Sequence, residues 1–402
     1  MAVGFEWQCR WKIYKTTNPN NLKYFPKNTV LTTGIGWKLV TDGADMEFVV
    51  DHVPLNLKTQ QGLAMDGETT LVSRMNGIKL FCADLDAMKA KANILRSDKP
   101  LLFTNFPNPF LIVPEPANDT LTAFVQVSGG IRLTNLRKFF KAIGTADSAG
   151  AQDFLGTYHS AYSATLRKVH LAKAAYQDTA WPAHPPSAKQ RSLVELIALY
   201  MNQFKRKGAT SKAKVVKYMT FIMSRTDFGR LFGEIDPVEV AHYQTAPNAW
   251  VRYICTDIMK QIGGFDAVHG ADPDGKLVEY PINDMDNLSD TKMVTIPVTR
   301  KEWLRGMTQG TDLLTAAAHP TGSAHPINNS RYRDAFGNHR LRGLGGLGNT
   351  MDTVAMNGLI DNQGAIFEFR GQQGNLNYTE WAPYTVRVYR FLQTVNFGQQ
   401  NQ

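Results

Sequence analysis

Cysteine is scarce in this chain: Cys9, Cys82 and Cys255 are the three among 402 residues. The number is odd and no pair has CxxC spacing, so neither a disulfide framework nor a cysteine zinc site is indicated. The thiols read as reduced, as in a cytoplasm. Long apolar runs are also missing. No stretch of about 18 apolar residues exists to span a bilayer. The opening MAVGFEWQCRWK has no apolar segment after a basic head, so no standard signal peptide is expected. These absences predict a soluble protein without a membrane span, cytoplasmic or delivered by a route that uses no signal peptide. No repeat of about 20–50 residues is visible either, which removes repeat architectures.

What is present is an ordinary globular composition. Hydrophobic residues make up 43%, enough in a chain of this length for one large or two ordinary domains. The net charge of +9 is compatible with nucleotides, other anionic substrates or nucleic acid, and decides among none of them.

Residues 2–14 alternate as a strand, with Val3, Phe5, Trp7 and Cys9 on one face and Gly4, Glu6, Gln8 and Arg10 on the other. Residues 36–52 read as a hairpin turning at Asp42-Gly43, its second strand carrying Asp45, Glu47, Val49 and Asp51 on one side. A helix is expected over 84–97, a strand over 120–132 with Phe124, Gln126 and Ser128 on one face, and a helix over 133–143. From 151 to 263 the pattern is helical, in segments 151–176, 188–206, 211–223 and 236–262, broken by the proline turn at Trp181-Pro182-Ala183-His184. A short strand over 292–298 and a helix over 299–318 follow. Last come a strand over 365–371 and a helix over 378–397. On that strand Glu368 and Arg370 share the face opposite Phe367 and Phe369. Strands at both ends around a helical middle predict an α+β protein: residues 1–145 and 293–402 as parts of one sheet domain, 146–292 as a mainly helical insertion.

Glu6, Glu47 and Glu368, each on an expected strand, are the main chemical signal. Hard cations such as Mg²⁺ take oxygen ligands and bridge carboxylates to substrate phosphates. Arg331, Arg333 and Arg370 offer forks that match phosphate oxygens. The plain alternative is a set of surface ion pairs. Gly343-Leu344-Gly345-Gly346-Leu347-Gly348 fits G-x-G-x-x-G in form, but no apolar strand precedes it, so it reads as a loop. His319 and His325 lie in a Gly/Pro-rich segment and read as loop residues rather than a metal pair. Phe204-Lys205-Arg206-Lys207 through Lys217 gathers six basic residues without an acid, a solvated helix junction or a patch for an acidic partner. Trp181 and His184 carry no recognisable chemistry at this level.

The order of these stretches resembles the amidoligase family, which shares the carboxylate–amine ligase fold of glutamine synthetase. The similarity lies in Gly4-Phe5-Glu6-Trp7-Gln8, Trp37 to Asp42-Gly43 and Glu47, Arg331-Tyr332-Arg333, Phe367-Glu368-Phe369-Arg370 and Asn375-Leu376-Asn377. It covers about the first 140 and last 75 residues. The resemblance implies a curved antiparallel sheet whose concave face binds ATP with Mg²⁺ or Mn²⁺. It implies that ATP phosphorylates a carboxylate and an amine displaces the acyl phosphate to give an amide, here on a peptide or protein. By position Glu6, Glu47 and Glu368 are the implied metal ligands. Arg370, assisted by Arg331 or Arg333, is implied at the transferring phosphoryl group, with Gln8, Gln126 and Ser128 beside the nucleotide. Gln8 stands where the family carries a second carboxylate, and Phe124 to Gly130 where it carries an H-x-H strand. Those departures leave room for a catalytically degenerate binding or effector protein of secreted-toxin type on the same fold; the basic segment separately allows a nucleic-acid-binding protein, with nucleic acid the less expected partner.

Overall fold

The computed structural model describes residues 2–16, 20–55, 67–88, 94–95, 110–113, 120–145, 151–153, 177–203, 222–224, 228–262, 272–274, 282–283, 293–294, 299–309, 364–369 and 375–398. The class is α+β with open antiparallel pairing. Contacts divide the chain into two compact units: Met1–Gly129 with Ser148–Tyr158 and Gly371–Gln402, and Gly130–Asp147 with His159–Arg370.

In the first unit, β1 (Ala2–Tyr14), β2 (Val30–Gly34), β3 (Trp37–Asp42) and β4 (Asp45–Pro54) are joined in the order β2-β3-β4-β1. The short β5 (Ile94–Leu95) pairs with β6 (Leu111–Val113), and β6 with the end of β1. The residues of β7 (Thr122–Arg132) up to Gly129 pair with the other side of β1. The expected Asp-Gly hairpin forms, with Gly43 at a φ of 68° that a side chain rarely adopts.

Alternation along β1 sorts its side chains by chemistry. Val3, Phe5, Trp7, Cys9, Trp11 and Ile13 are buried, whereas Glu6, Gln8, Arg10 and Lys12 are half-buried on the opposite face. Two helices lie against the apolar side. The first, α1 (Gly67–Met88), begins well before the expected 84. Its buried Leu71, Met75, Ile78, Cys82 and Leu85 repeat at three- and four-residue steps, a signal already present in the sequence. The C-terminal helix, Trp381–Phe397, is led in by a 3-10 turn at Tyr378–Glu380. Asn377 and Glu380 form a reciprocal capping box at that entry. Trp381 stacks on Trp7 with ring centroids 4.7 Å apart and meets Phe48 edge-on at 5.8 Å. Its indole nitrogen donates to the Leu376 carbonyl at 2.9 Å, so the ring brings no orphaned donor into the core. Arg387 on the same helix holds Asp153, with Nε 2.6 Å from Oδ2.

The second unit is mainly helical among its described residues. After a 3-10 turn, α2 (Leu136–Thr145) packs beside α3 (Ala188–Gln203), where Arg137 pairs with the buried Glu195 at 2.8 Å. Ser192 to Leu199 are buried without interruption, so α3 is covered on all sides. The helix expected over 211–223 is corrected at its end: Ile222–Ser224 is a strand, β8. A second ladder pairs β9 (Ile282–Asn283) with β10 (Met293–Val294). The strand β11 (Gly364–Phe369) pairs antiparallel with β8, Glu368 lying opposite Met223. Helices α4 (Phe228–Gly233), α5 (Pro237–Thr245) and α6 (Pro247–Arg252) follow in close succession. The single helix expected over 236–262 is broken at Ala246, because Pro247 cannot donate to an uninterrupted ladder. The chain then runs through a π-helical stretch, Tyr253–Met259. Further along, α7 (Arg300–Gln309) packs Trp303 against Phe228 at 5.4 Å. Among the described residues no helix is long and apolar enough to cross a membrane.

Candidate functional site

The polar face of the first unit's sheet is laid out in rows by the strand register. One row runs Lys38, Val49, Glu6, Gln126; the next runs Val40, Glu47, Gln8, Phe124. Gly4 lies opposite Ser128 in the row beyond. Directly opposed residues share a face, and diagonal neighbours lie about 7 Å apart. Glu6 and Glu47 are therefore diagonal partners on one surface, with Gln126 beside Glu6 and Gln8 beside Glu47. Of the residues singled out in the sequence, this face brings together Glu6, Gln8, Glu47, Gln126 and Ser128.

Glu47 is 8% exposed and Glu6 half-buried, so both carboxylates sit where the local dielectric strengthens attraction to a cation. Gln8 is already engaged: its amide nitrogen donates to Asp45 Oδ2 at 2.8 Å, while Lys12 pairs with Asp45 Oδ1. Asp45 thus anchors its neighbours, and Gln8 has its carbonyl oxygen as the remaining half of the amide. Gln126 is different. Its carbonyl oxygen is buried and finds no donor among the described residues, an arrangement that costs free energy unless a water or ligand supplies the partner.

Two more groups, His52 and Arg10, belong to the face. The His52 ring lies against Gly4, so close that a β-carbon there would come within 2.6 Å of its Cδ2. Gly4 thereby admits an imidazole next to the Glu6 row. Arg10 spreads its guanidinium over Phe124, Cζ lying 4.4 Å from the ring centroid. Alternation alone puts Arg10 on the Glu6 face, but its contact with Phe124 and the placement of His52 both depend on which strands become neighbours.

The remaining expectations fall elsewhere. Glu368 belongs to the second unit and is fully buried between Phe367 and Phe369, which are fully buried too. The alternation of charged and apolar residues on this strand had allowed an exposed Glu368–Arg370 ion pair, and the burial of Glu368 corrects that reading. Arg370, Arg331, Arg333, His319, His325, the Gly343–Gly348 loop and the basic segment 204–218 lie outside the described residues.

The comparisons with known proteins narrow nothing. No family model matches the sequence, and no curated protein does. A Vibrio cholerae toxin from the MARTX/VgrG family is similar over 92% of this chain and 92% of its own, at 11% identity and a TM-score of 0.34. At that score the likeness identifies neither fold nor function.

The second unit contains a dense polar centre that the sequence did not announce. The Trp181 indole is sandwiched between His184 and His242, centroids 4.1 and 4.0 Å away. Tyr243 donates to Asp178 at 3.0 Å, and Arg252 pairs with both Asp178 and Asp257. Glu239, fully buried, accepts from the Ser187 backbone at 2.6 Å, the Ser187 hydroxyl at 2.7 Å and the Asp236 backbone at 3.1 Å. Gln190 bridges Glu239 and Tyr243: with its amide nitrogen toward the carboxylate, its carbonyl faces the hydroxyl at 3.2 Å. Burial, then the Asp178 charge, push the Tyr243 hydroxyl far above its ordinary titration range. The carboxylates here are met by protein donors. The cluster clasps the 178–187 turn to α5 and the π-helical stretch, so its chemistry is spent on structure.

Among the described residues no three acidic, His or Cys side chains form a group able to hold a metal alone. A cation on the sheet face would share its coordination among Glu6, Glu47, the Gln126 carbonyl and the phosphates of its ligand. That division suits Mg²⁺, which binds through one or two carboxylates plus substrate phosphates. The orphaned Gln126 oxygen is a hard donor of the required kind.

Proposed function

We propose that the protein is an ATP- and Mg²⁺-dependent carboxylate–amine ligase, or a related phosphotransferase, acting on a peptide or protein through a curved glutamine-synthetase-like sheet. One observation carries the reading: Glu6 and Glu47 are diagonal neighbours on a polar sheet face, with an unsatisfied Gln126 carbonyl beside Glu6. ATP, when bound, supplies the phosphoryl group that turns a carboxylate into a leaving-group-activated acyl donor. Glu6, Glu47 and Gln126 would hold the metal–phosphate end, and Lys38 opposite Val49 adds a positive charge to the same row. Such chemistry asks a protein for positioning and charge neutralisation rather than for a covalent nucleophile.

Hydroxylamine trapping tests the activity. The protein is incubated with Mg²⁺-ATP, a peptide mixture and hydroxylamine, which converts acyl phosphates to stable hydroxamates. ADP release matched by peptide hydroxamates, both lost in Glu6→Gln, is the expected result. ATP bound without ADP or hydroxamate would contradict ligation. That outcome would instead favour a degenerate binding or effector protein. One observation favours this second reading: Gln8 replaces an acid and is tied to Asp45, which Lys12 already neutralises.

A further inference from the structure

Phe124 presents a partly exposed ring on the face that carries Glu6, Gln8, Glu47 and Gln126. It is 37% exposed and lies opposite Gln8, in the row adjoining the Glu6–Gln126 row. Its ring is covered by the Arg10 guanidinium at 4.4 Å, and that guanidinium is fixed from a third element: Arg10 Nε donates to Asn375 Oδ1 at 2.9 Å. Asn375 holds a left-handed backbone, φ 56°, which Asn tolerates better than most residues. The residues after it, Leu376 and Asn377 (β12), pair with Ala123 and Thr122. The strand that carries Phe124 therefore also moors the loop that positions Arg10.

The result is a partly exposed platform of one phenyl ring and one guanidinium. Phe124 stands two residues from Gln126, about 7 Å along the strand, and Arg10 four residues from Glu6, about 13 Å. One end of the face offers oxygen donors for a metal and its phosphates. The other offers a cationic aromatic surface. A nucleotide has the complementary ends at a comparable separation, and nucleobases stack on aromatic rings and on arginine planes.

We propose that Phe124 and Arg10 form the base-stacking platform of the nucleotide site, with Asn375 as the residue that positions Arg10. The inference rests on the nucleotide reading above and deepens it. Because every base has a π-face, the platform separates nucleotides from bare triphosphate but discriminates weakly between adenine and guanine.

Calorimetric titration with Mg²⁺-ATP, Mg²⁺-GTP and Mg²⁺-tripolyphosphate, on wild type, Phe124→Ala and Phe124→Trp, tests it. Phe124→Ala should weaken ATP about tenfold and leave tripolyphosphate unchanged, while Phe124→Trp restores ATP affinity. ATP and GTP should bind wild type within a few-fold of each other. Unchanged ATP affinity in Phe124→Ala, or an equal loss for ATP and tripolyphosphate, overturns the platform while the nucleotide site stands. Absence of binding by all three ligands to folded wild type removes the nucleotide reading and the platform together.

Discussion

Single residues of the sheet face take their positions from neighbours distant in sequence. Gly4 is one: the His52 ring occupies the space of its missing side chain. Gly4→Ala is expected to displace His52 and weaken Mg²⁺-ATP binding with little change in melting temperature, which calorimetry and thermal denaturation together would check. An unchanged affinity would show that His52 plays no part. The cysteines give a second prediction. Cys9, Cys82 and Cys255 are all buried, and burial raises each thiol, Cys255 to about 12. The thiolate is the reactive form, so a thiol reagent at pH 8 should find no fast-reacting cysteine in the native protein and three after denaturation.

At the scale of elements, two caps of different worth can be compared. Asp236 caps α5 on an exposed turn, and its replacement by Ala should cost about 1 kcal/mol. Glu239, in the same capping box, is fully buried and also satisfies both Ser187 donors. Glu239→Ala strands those donors and should cost more than about 3 kcal/mol in a denaturant titration. Equal costs would mean that the clasp around the 178–187 turn contributes nothing beyond helix capping. Trp381→Ala, which opens the stack on Trp7, should cost about 3–5 kcal/mol. Elements of this kind were legible to different degrees in the sequence. The alternation of β1 and the Asp42-Gly43 turn placed the sheet's polar face, since period two and turn chemistry are local properties. The start of α1 at Gly67 is equally local, carried by the spacing of Leu71 to Leu85. The break at Ala246 and the strand at Ile222–Ser224 were not local. The first depends on Pro247 starting a new helix, the second on pairing with a strand about 140 residues further along.

At the scale of the whole molecule, buried groups that must stay protonated set an alkaline limit. Unfolded cysteine and tyrosine titrate near about 8.5 and 10. In the fold Cys255 is raised to about 12, and Cys9, Cys82, Tyr243, Tyr253 and Tyr384 are raised as well, in each case chiefly by burial. Folded values above unfolded values give stability that is complete below the unfolded pKa and declines as pH rises past it. The melting temperature should hold between about pH 7 and 8, fall from about pH 9, and fall less steeply in Cys255→Ser. The rows of the sheet face were legible only in part: Glu6, Gln8, Glu47, Gln126 and Ser128 followed from alternation, whereas His52, Arg10 over Phe124 and the anchoring of Gln8 by Asp45 required the register. Binding of a metal–nucleotide complex on this face is read by isothermal titration of ATP with and without Mg²⁺. Wild type should bind ATP only with the metal, and Glu6→Gln combined with Glu47→Gln should lose at least about tenfold, or 1.4 kcal/mol, while keeping its fold. Metal-independent binding, or a double variant that binds as wild type does, would contradict it.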